Sequence, residues 1–123
     1  MNYLEAEDLT TGYGRQVISE ALNCSFEAGT ITSIIGPNGC GKSTLLKTLA
    51  RILPAEKGKV FIKNQELQHF SSKEVAQELA ILSQTPENTI DLSVFDLVSF
   101  GRYPYQSGWK SVTTEDQEYI QWA

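Results

Sequence analysis

Nine consecutive residues, Gly36, Pro37, Asn38, Gly39, Cys40, Gly41, Lys42, Ser43 and Thr44, are the part of this sequence whose types and spacing most directly suggest chemistry. They fit G-x-x-x-x-G-K-[ST], a phosphate-binding loop, without a mismatch. A polyphosphate is held by a row of inward-pointing backbone N–H groups, and only a tight loop of small residues lets the backbone come that close. Gly36, Gly39 and Gly41 supply that freedom. Lys42 brings a compact positive charge to the β- and γ-phosphates, and the Ser43 hydroxyl suits Mg²⁺.

Such a loop works only when its flanks hold it in shape. Before it, Gly29 and Thr30 lead into Ile31–Ile35, a β-branched run that reads as a buried strand. After it, Leu45, Leu46, Leu49, Ile52 and Leu53 recur at helical spacing, and Pro54 is expected to end the helix. Strand, glycine loop and helix aim the positive end of a helix dipole at an anion. The loop is expected to bind nucleotide phosphate.

Length and composition narrow the setting. The 123 residues suit one small domain, and an apolar content of 41% permits a core. No apolar run approaches the roughly 18 residues that would cross a bilayer. Met1–Asp8 has no basic, apolar signal segment, so a cytosolic location is expected. Ten basic against 15 acidic residues give a net charge of −5, which argues against a broad nucleic-acid footprint. Cys24 and Cys40 do not read as a disulfide framework. Cys40, beside a lysine at a helix start, could be a regulatory thiol. The blander reading is a small residue at a permissive position.

Outside the loop the elements are read in order. Leu4–Leu9 alternates imperfectly as a strand, Thr10–Gly14 reads as a turn, and Val17, Ile18, Leu22, Cys24 and Phe26 suggest a returning antiparallel strand. Lys57 and Gly58 turn into a short strand at Val60–Ile62, and Asn64 and Gln65 turn again. Ser71 and Glu74 have capping-box spacing ahead of a helix over Ser72–Glu78. Ala80–Leu82 reads as a buried strand ending at Ser83, Gln84, Thr85 and Pro86, the proline keeping Thr85 extended. Ser93 is the candidate N-cap of Val94–Phe100, with Gly101 the stop. Arg102–Lys110 reads as an aromatic-rich loop with Trp109, and Thr114 and Gln117 as the capping box of a last helix.

With these residues placed, the chain resembles the nucleotide-binding subunit of an ABC transporter, nearest to the ATPases that energise import of iron–siderophore, haem and cobalamin complexes. The resemblance implies an α/β fold: a partial P-loop NTPase core with an N-terminal antiparallel β subdomain and the start of an α-helical subdomain. Residues 1–84 would be the first part of the core, and residues 85–123 the Q-loop and the beginning of the helical subdomain. It implies that Tyr13 stacks on adenine, and that Gly36, Asn38, Gly39, Cys40, Gly41, Lys42, Ser43 and Thr44 hold ATP. Gln84 matches the Q-loop glutamine, which reaches Mg²⁺ and the attacking water, so Lys42 and Gln84 are the implied catalytic residues and Ser43 and Gln84 the implied metal contacts. Asp91–Phe100, followed by Gly101, Arg102, Tyr103 and Pro104, looks like the V-x-x-G-R-x-P stretch of the siderophore-uptake branch. Implied partners are transmembrane permease subunits, a second ATPase subunit and, indirectly, a substrate-binding protein, with no nucleic acid. The implied location is cytoplasmic, on the inner face of the membrane.

The family's later motifs have no counterpart here. There is no LSGGQ signature, no apolar strand ending in Asp–Glu, and no switch histidine. His69, the sole histidine, precedes Gln84 and reads as a surface residue. The chain therefore looks like the first half of an ABC ATPase domain, expected to bind ATP without hydrolysing it alone. Its uncovered apolar faces should favour self-association or marginal stability, which a concentration-independent monomer would contradict. Thr85–Val94 is the expected contact surface for membrane subunits, against a solvated loop as the plainer reading. The alternatives are a soluble ABC ATPase acting on DNA or ribosomes, a small P-loop kinase, and a non-enzymatic module that holds only an anion.

Overall fold

The computed structural model describes residues 1–84, 91–108 and 112–123. Two compact units divide after Ser71: Met1–Ser71 and Ser72–Ala123.

The first unit is built on a long antiparallel hairpin, β1 (Asn2–Tyr13) and β2 (Gln16–Glu27). The expected turn at Thr10–Gly14 is shorter than read. Strand β1 continues through Tyr13, which pairs with Gln16 across the two-residue turn at Gly14 and Arg15. The register of the hairpin shifts at four places, and at two of them Asp8 and Ala21 lie in the left-handed region, at φ 46° and 48°. Asn23 serves both: its Oδ1 accepts from the Asp8 N–H at 3.0 Å and its Nδ2 donates to the Ala21 carbonyl at 3.3 Å. Strand β3 (Lys57–Ile62) pairs antiparallel with the other edge of β1, and β4 (Gln65–Glu66) pairs with β3, giving the order β2-β1-β3-β4. The expected turn at Lys57 and Gly58 lies inside β3. Gly58, at φ 84°, passes so close to β1 that a Cβ would sit 2.3 Å from the Asp8 carbonyl oxygen. The next turn is at Lys63 and Asn64, one residue before the expected place. Both are left-handed, as a type I′ hairpin requires.

Helix α1 (Lys42–Leu49) covers this sheet with Thr44, Thr48 and Leu49, against a core of Ala6, Leu9, Val60, Ile62 and Leu67. It does not run to Pro54. It stops at Leu49, where the Ile52 N–H bonds to the Lys47 carbonyl (2.8 Å) and the Arg51 N–H to the Thr48 carbonyl (3.1 Å). That is a Schellman closure. Ile52, expected on the helix face, lies outside it and is exposed.

The expected strand at Ile31–Ile35 is not formed. Residues 30–37 pair with no strand among the described residues, and Ile31 and Ile35 are 99% and 92% exposed. The same holds for Ala80–Leu82, where Leu82 is 98% exposed. A strand is defined by its ladder, and neither run has a partner here.

The second unit carries α2 (Ser72–Glu78), as expected, then α3 (Val94–Ser99) and α4 (Thr114–Trp122). Ser93 caps α3 as read, its Oγ accepting from the Asp96 N–H. Gly101 does not stop the chain's helical course: a 3-10 turn continues over Phe100–Tyr105 and includes Pro104, where a loop was expected. The capping box of α4 is Thr113 with Asp116, one residue before the expected Thr114 and Gln117. Arg102 Nε donates to Asp116 Oδ1 at 2.8 Å, and its guanidinium lies over the rings of Tyr105 and Tyr119 at 4.5 and 4.4 Å. The Arg102 guanidinium and the Thr113 N–H together hold the Asp116 carboxyl below the usual carboxylate range.

Candidate functional site

Residues 36–41 form a tight loop that runs directly into α1, whose first residues are Lys42, Ser43 and Thr44. Cys40 N–H bonds to the Pro37 carbonyl at 3.3 Å, and Leu45 N–H bonds to the Gly41 carbonyl at 2.9 Å, closing the first helical turn. Gly41 is the N-cap residue at φ 102°, with no side chain to cap the helix and no acidic residue in the first turn. The helix start is thus left to an external acceptor, the arrangement that suits an anion. Gly41 is also packed against the hairpin: a Cβ there would lie 2.6 Å from Ile18 Cγ2. Sequence reading placed Ile18 only as a strand residue, because its contact with Gly41 is visible only once β2 is folded under the loop.

The Lys42 ammonium bonds to the loop's own backbone. Its Nζ donates to the Gly36 carbonyl at 2.5 Å and the Pro37 carbonyl at 2.8 Å, and lies 3.6 Å from Cys40 Sγ. Those carbonyls hold the charge beside the loop, where phosphate oxygens can replace them. Ser43 is exposed, while Thr44 is buried on the sheet side. Asn38, Gly39 and Cys40 are exposed along the loop. Tyr13 is half exposed at the tip of the hairpin whose second strand carries Ile18. Gln84 is exposed at a bend in the second unit, and His69 lies exposed on a 3-10 turn of the first. Most of the expected contact surface, residues 85–90, lies outside the described residues, as do Trp109 and Lys110.

Among the described residues no group of three or more His, Cys, Asp or Glu side chains could hold a metal ion. What the loop offers Mg²⁺ is a single exposed hydroxyl on Ser43, which fits an ion that keeps most of its waters and arrives with a nucleotide.

The family model for ABC transporters matches residues 19–123, from the fourth residue of β2 through the loop and on to the end of the chain. The chain belongs to the ABC transporter family. It is 49% identical over 123 residues to the iron(3+)-hydroxamate import ATP-binding protein FhuC of Bacillus subtilis, covering all of this chain and 46% of that protein. It is 43% identical to the ferric enterobactin transport ATP-binding protein FepC of Escherichia coli, over 95% of this chain and 43% of that one. The chain thus spans a little under half the length of these curated relatives. Among solved structures, a nucleotide-free ATP-binding cassette from an ABC transporter superposes with a TM-score of 0.72 at 25% identity, over 99% of this chain and 47% of that chain. The ATP-binding cassette MJ1267 gives 0.72 at 26% identity, over 96% and 51%. The fold of this member is the partial P-loop NTPase expected from its sequence, with the antiparallel sheet at its N-terminal end.

Proposed function

We propose that this chain is the ATP-binding part of an ATPase that drives import of iron–siderophore type complexes. The carrying observation is the Gly36–Thr44 loop, with Lys42 bonded to the Gly36 and Pro37 carbonyls at the start of an uncapped helix. In this reading Lys42 exchanges those carbonyls for β- and γ-phosphate oxygens. The backbone N–H groups from Gly39 to Thr44 cradle the phosphates, and Tyr13 stacks on adenine. Ser43 and Gln84 would hold Mg²⁺, which supplies charge neutralisation on the phosphates when bound. Catalysis of phosphoryl transfer is positioning and charge stabilisation, and for that Lys42 and Gln84 are this chain's contribution.

Hydrolysis also needs a group to orient or deprotonate water. The sequence has no apolar strand ending in Asp–Glu, so we infer binding without turnover by this chain alone. The names of the relatives support siderophore import, and the Gly101–Pro104 stretch agrees with that branch. Transmembrane permease subunits, a second copy of the ATPase and, indirectly, a substrate-binding protein would be its partners, at the cytoplasmic face of the membrane. Residues 1–84 would then be the N-terminal part of the ATPase core and residues 85–123 the Q-loop and the beginning of the helical subdomain. The exposed run before the loop favours one rival, a loop that holds a bare anion and no nucleotide.

The test is titration with ATP–Mg²⁺ beside Lys42→Ala, with phosphate release followed in the same samples. Saturable binding, weakened at least about 100-fold by the substitution (roughly 2.7 kcal/mol), with no release, is the expected result. Multiple turnovers lost in Lys42→Ala would overturn the claim of binding alone. Equal binding of ATP and inorganic phosphate would favour the anion-only rival.

A further inference from the structure

We infer that Arg51 is a positioning residue for the phosphate loop, fixing the far end of α1 so that its near end presents Lys42 correctly. This rests on the ATP-binding reading of that loop. Arg51 is the C′ residue of the Schellman closure and sits in the left-handed region at φ 58°. Glycine is the usual occupant of that position, because an L side chain is strained there. An arginine in that place needs a compensating interaction, and one is present. Its Nη1 donates to the Phe70 carbonyl at 2.6 Å and to the Leu67 carbonyl at 3.2 Å. Both acceptors belong to the 3-10 turn Leu67–His69 and its cap, which follow directly on the β3–β4 hairpin. One guanidinium nitrogen carries two N–H groups, and Nη1, at the end of a long side chain, serves both carbonyls here.

The consequence follows from the shape of α1. It has eight residues and is about 12 Å long. Its buried anchors are few: Thr44, Thr48 and Leu49. The segment leading into the loop, residues 30–37, pairs with no strand among the described residues. A helix this short moves as one rod. Its start is seated by Gly41 against Ile18, and its end by Arg51 against the turn. Releasing the end lets the rod tilt, and the N–H groups and ammonium at its start tilt with it.

The experiment compares the parent chain with Arg51→Gly and Arg51→Lys. Glycine takes the left-handed backbone without strain and keeps the helix closure, so the loss is that of the Arg51 side-chain interactions, the two carbonyl bonds among them. If the loop-competent tilt falls to about one molecule in five, ATP–Mg²⁺ affinity falls about fivefold, because apparent affinity scales with the competent fraction. Amide exchange of Leu45–Leu49 without nucleotide should quicken in Arg51→Gly, while amides of β1 and β2 keep the parent's rates. Arg51→Lys, which keeps a cationic donor on a shorter side chain without the guanidinium fork, should recover part of both losses. Affinity in Arg51→Gly equal to the parent's would overturn the proposal. Failure of the parent to bind ATP–Mg²⁺ would instead overturn the ATP-binding reading, and equal α1 exchange in parent and Arg51→Gly would then overturn the clamp by itself.

Discussion

The β1–β2 hairpin, with Glu5, Ala6, Glu7 and Asp8 in its first strand, is poorer in β-favouring residues than the run Ile31–Ile35, yet the hairpin forms and the run does not. In the hairpin, Ala6 and Leu9 are buried and each strand meets its partner across a two-residue turn. In the run, Ile31 and Ile35 stand almost fully exposed and pair with nothing among the described residues. The difference is in connectivity. An antiparallel partner is supplied by the next few residues, whereas a strand that feeds a loop and helix must find a parallel partner a dozen or more residues away. β-Propensity describes fitness for a pleated, half-buried surface, and without that surface it orders nothing.

The largest effect that could break this contrast is at Leu9, fully buried between the sheet and the rest of the core. Leu9→Ala should cost about 2–5 kcal/mol, the lost transfer energy plus the cavity left behind. Chemical denaturation of the two proteins at equal concentration measures it. A cost below about 1 kcal/mol would mean that the hairpin's core is loosely packed, and that pairing alone separates the two regions.

What could be read from the sequence follows the same division. The loop was legible residue by residue because Gly36, Gly41 and Lys42 are required at fixed offsets whatever surrounds them. The hairpin and α2 were legible because their signals are local. Helix α1 was read three residues or more too long, since Ile52 and Leu53 keep the helical period while Arg51 takes a conformation usually marked by glycine. Thr113 and Asp116 were missed as a cap because aspartate stands where glutamate or glutamine was sought. The Arg102–Asp116 pair joins residues 14 apart and leaves no pattern in the sequence. Tyr13 and Gln84 rest on family resemblance, since one exposed ring and one exposed amide carry no signal of their own.

A smaller effect sharpens the contrast by asking whether a polar pair can hold a segment whose apolar residues are mostly exposed. Within the second unit, Asp116 is buried, bonded to Arg102 and to the Thr113 N–H. Its carboxyl titrates below its unfolded value, so its stabilisation is present above about pH 4 and is lost as pH falls through the lower, folded value. Helical signal from the parent should therefore decline on acidification below about pH 4, and Asp116→Asn should start lower at neutral pH and flatten that decline. Identical acid profiles would show that the ion pair does not hold α4 to the 3-10 turn.

The smallest expected effect is the most pointed, because it concerns the run that looks most like core. Ile35→Ala removes a large β-branched side chain one residue before the phosphate loop. At a buried strand position such a change would rank with Leu9→Ala. Ile35 is 92% exposed and its backbone pairs with no strand among the described residues, so neither a cavity nor a lost cross-strand contact follows. The expected change in stability is within about 0.5 kcal/mol. Removing an exposed apolar side chain should also lower any concentration-dependent association, read by sedimentation across a dilution series. A cost of about 2 kcal/mol or more would place Ile35 in a packed strand and erase the distinction between the two regions. If stability holds while association falls, the exposed run is a surface awaiting a partner strand.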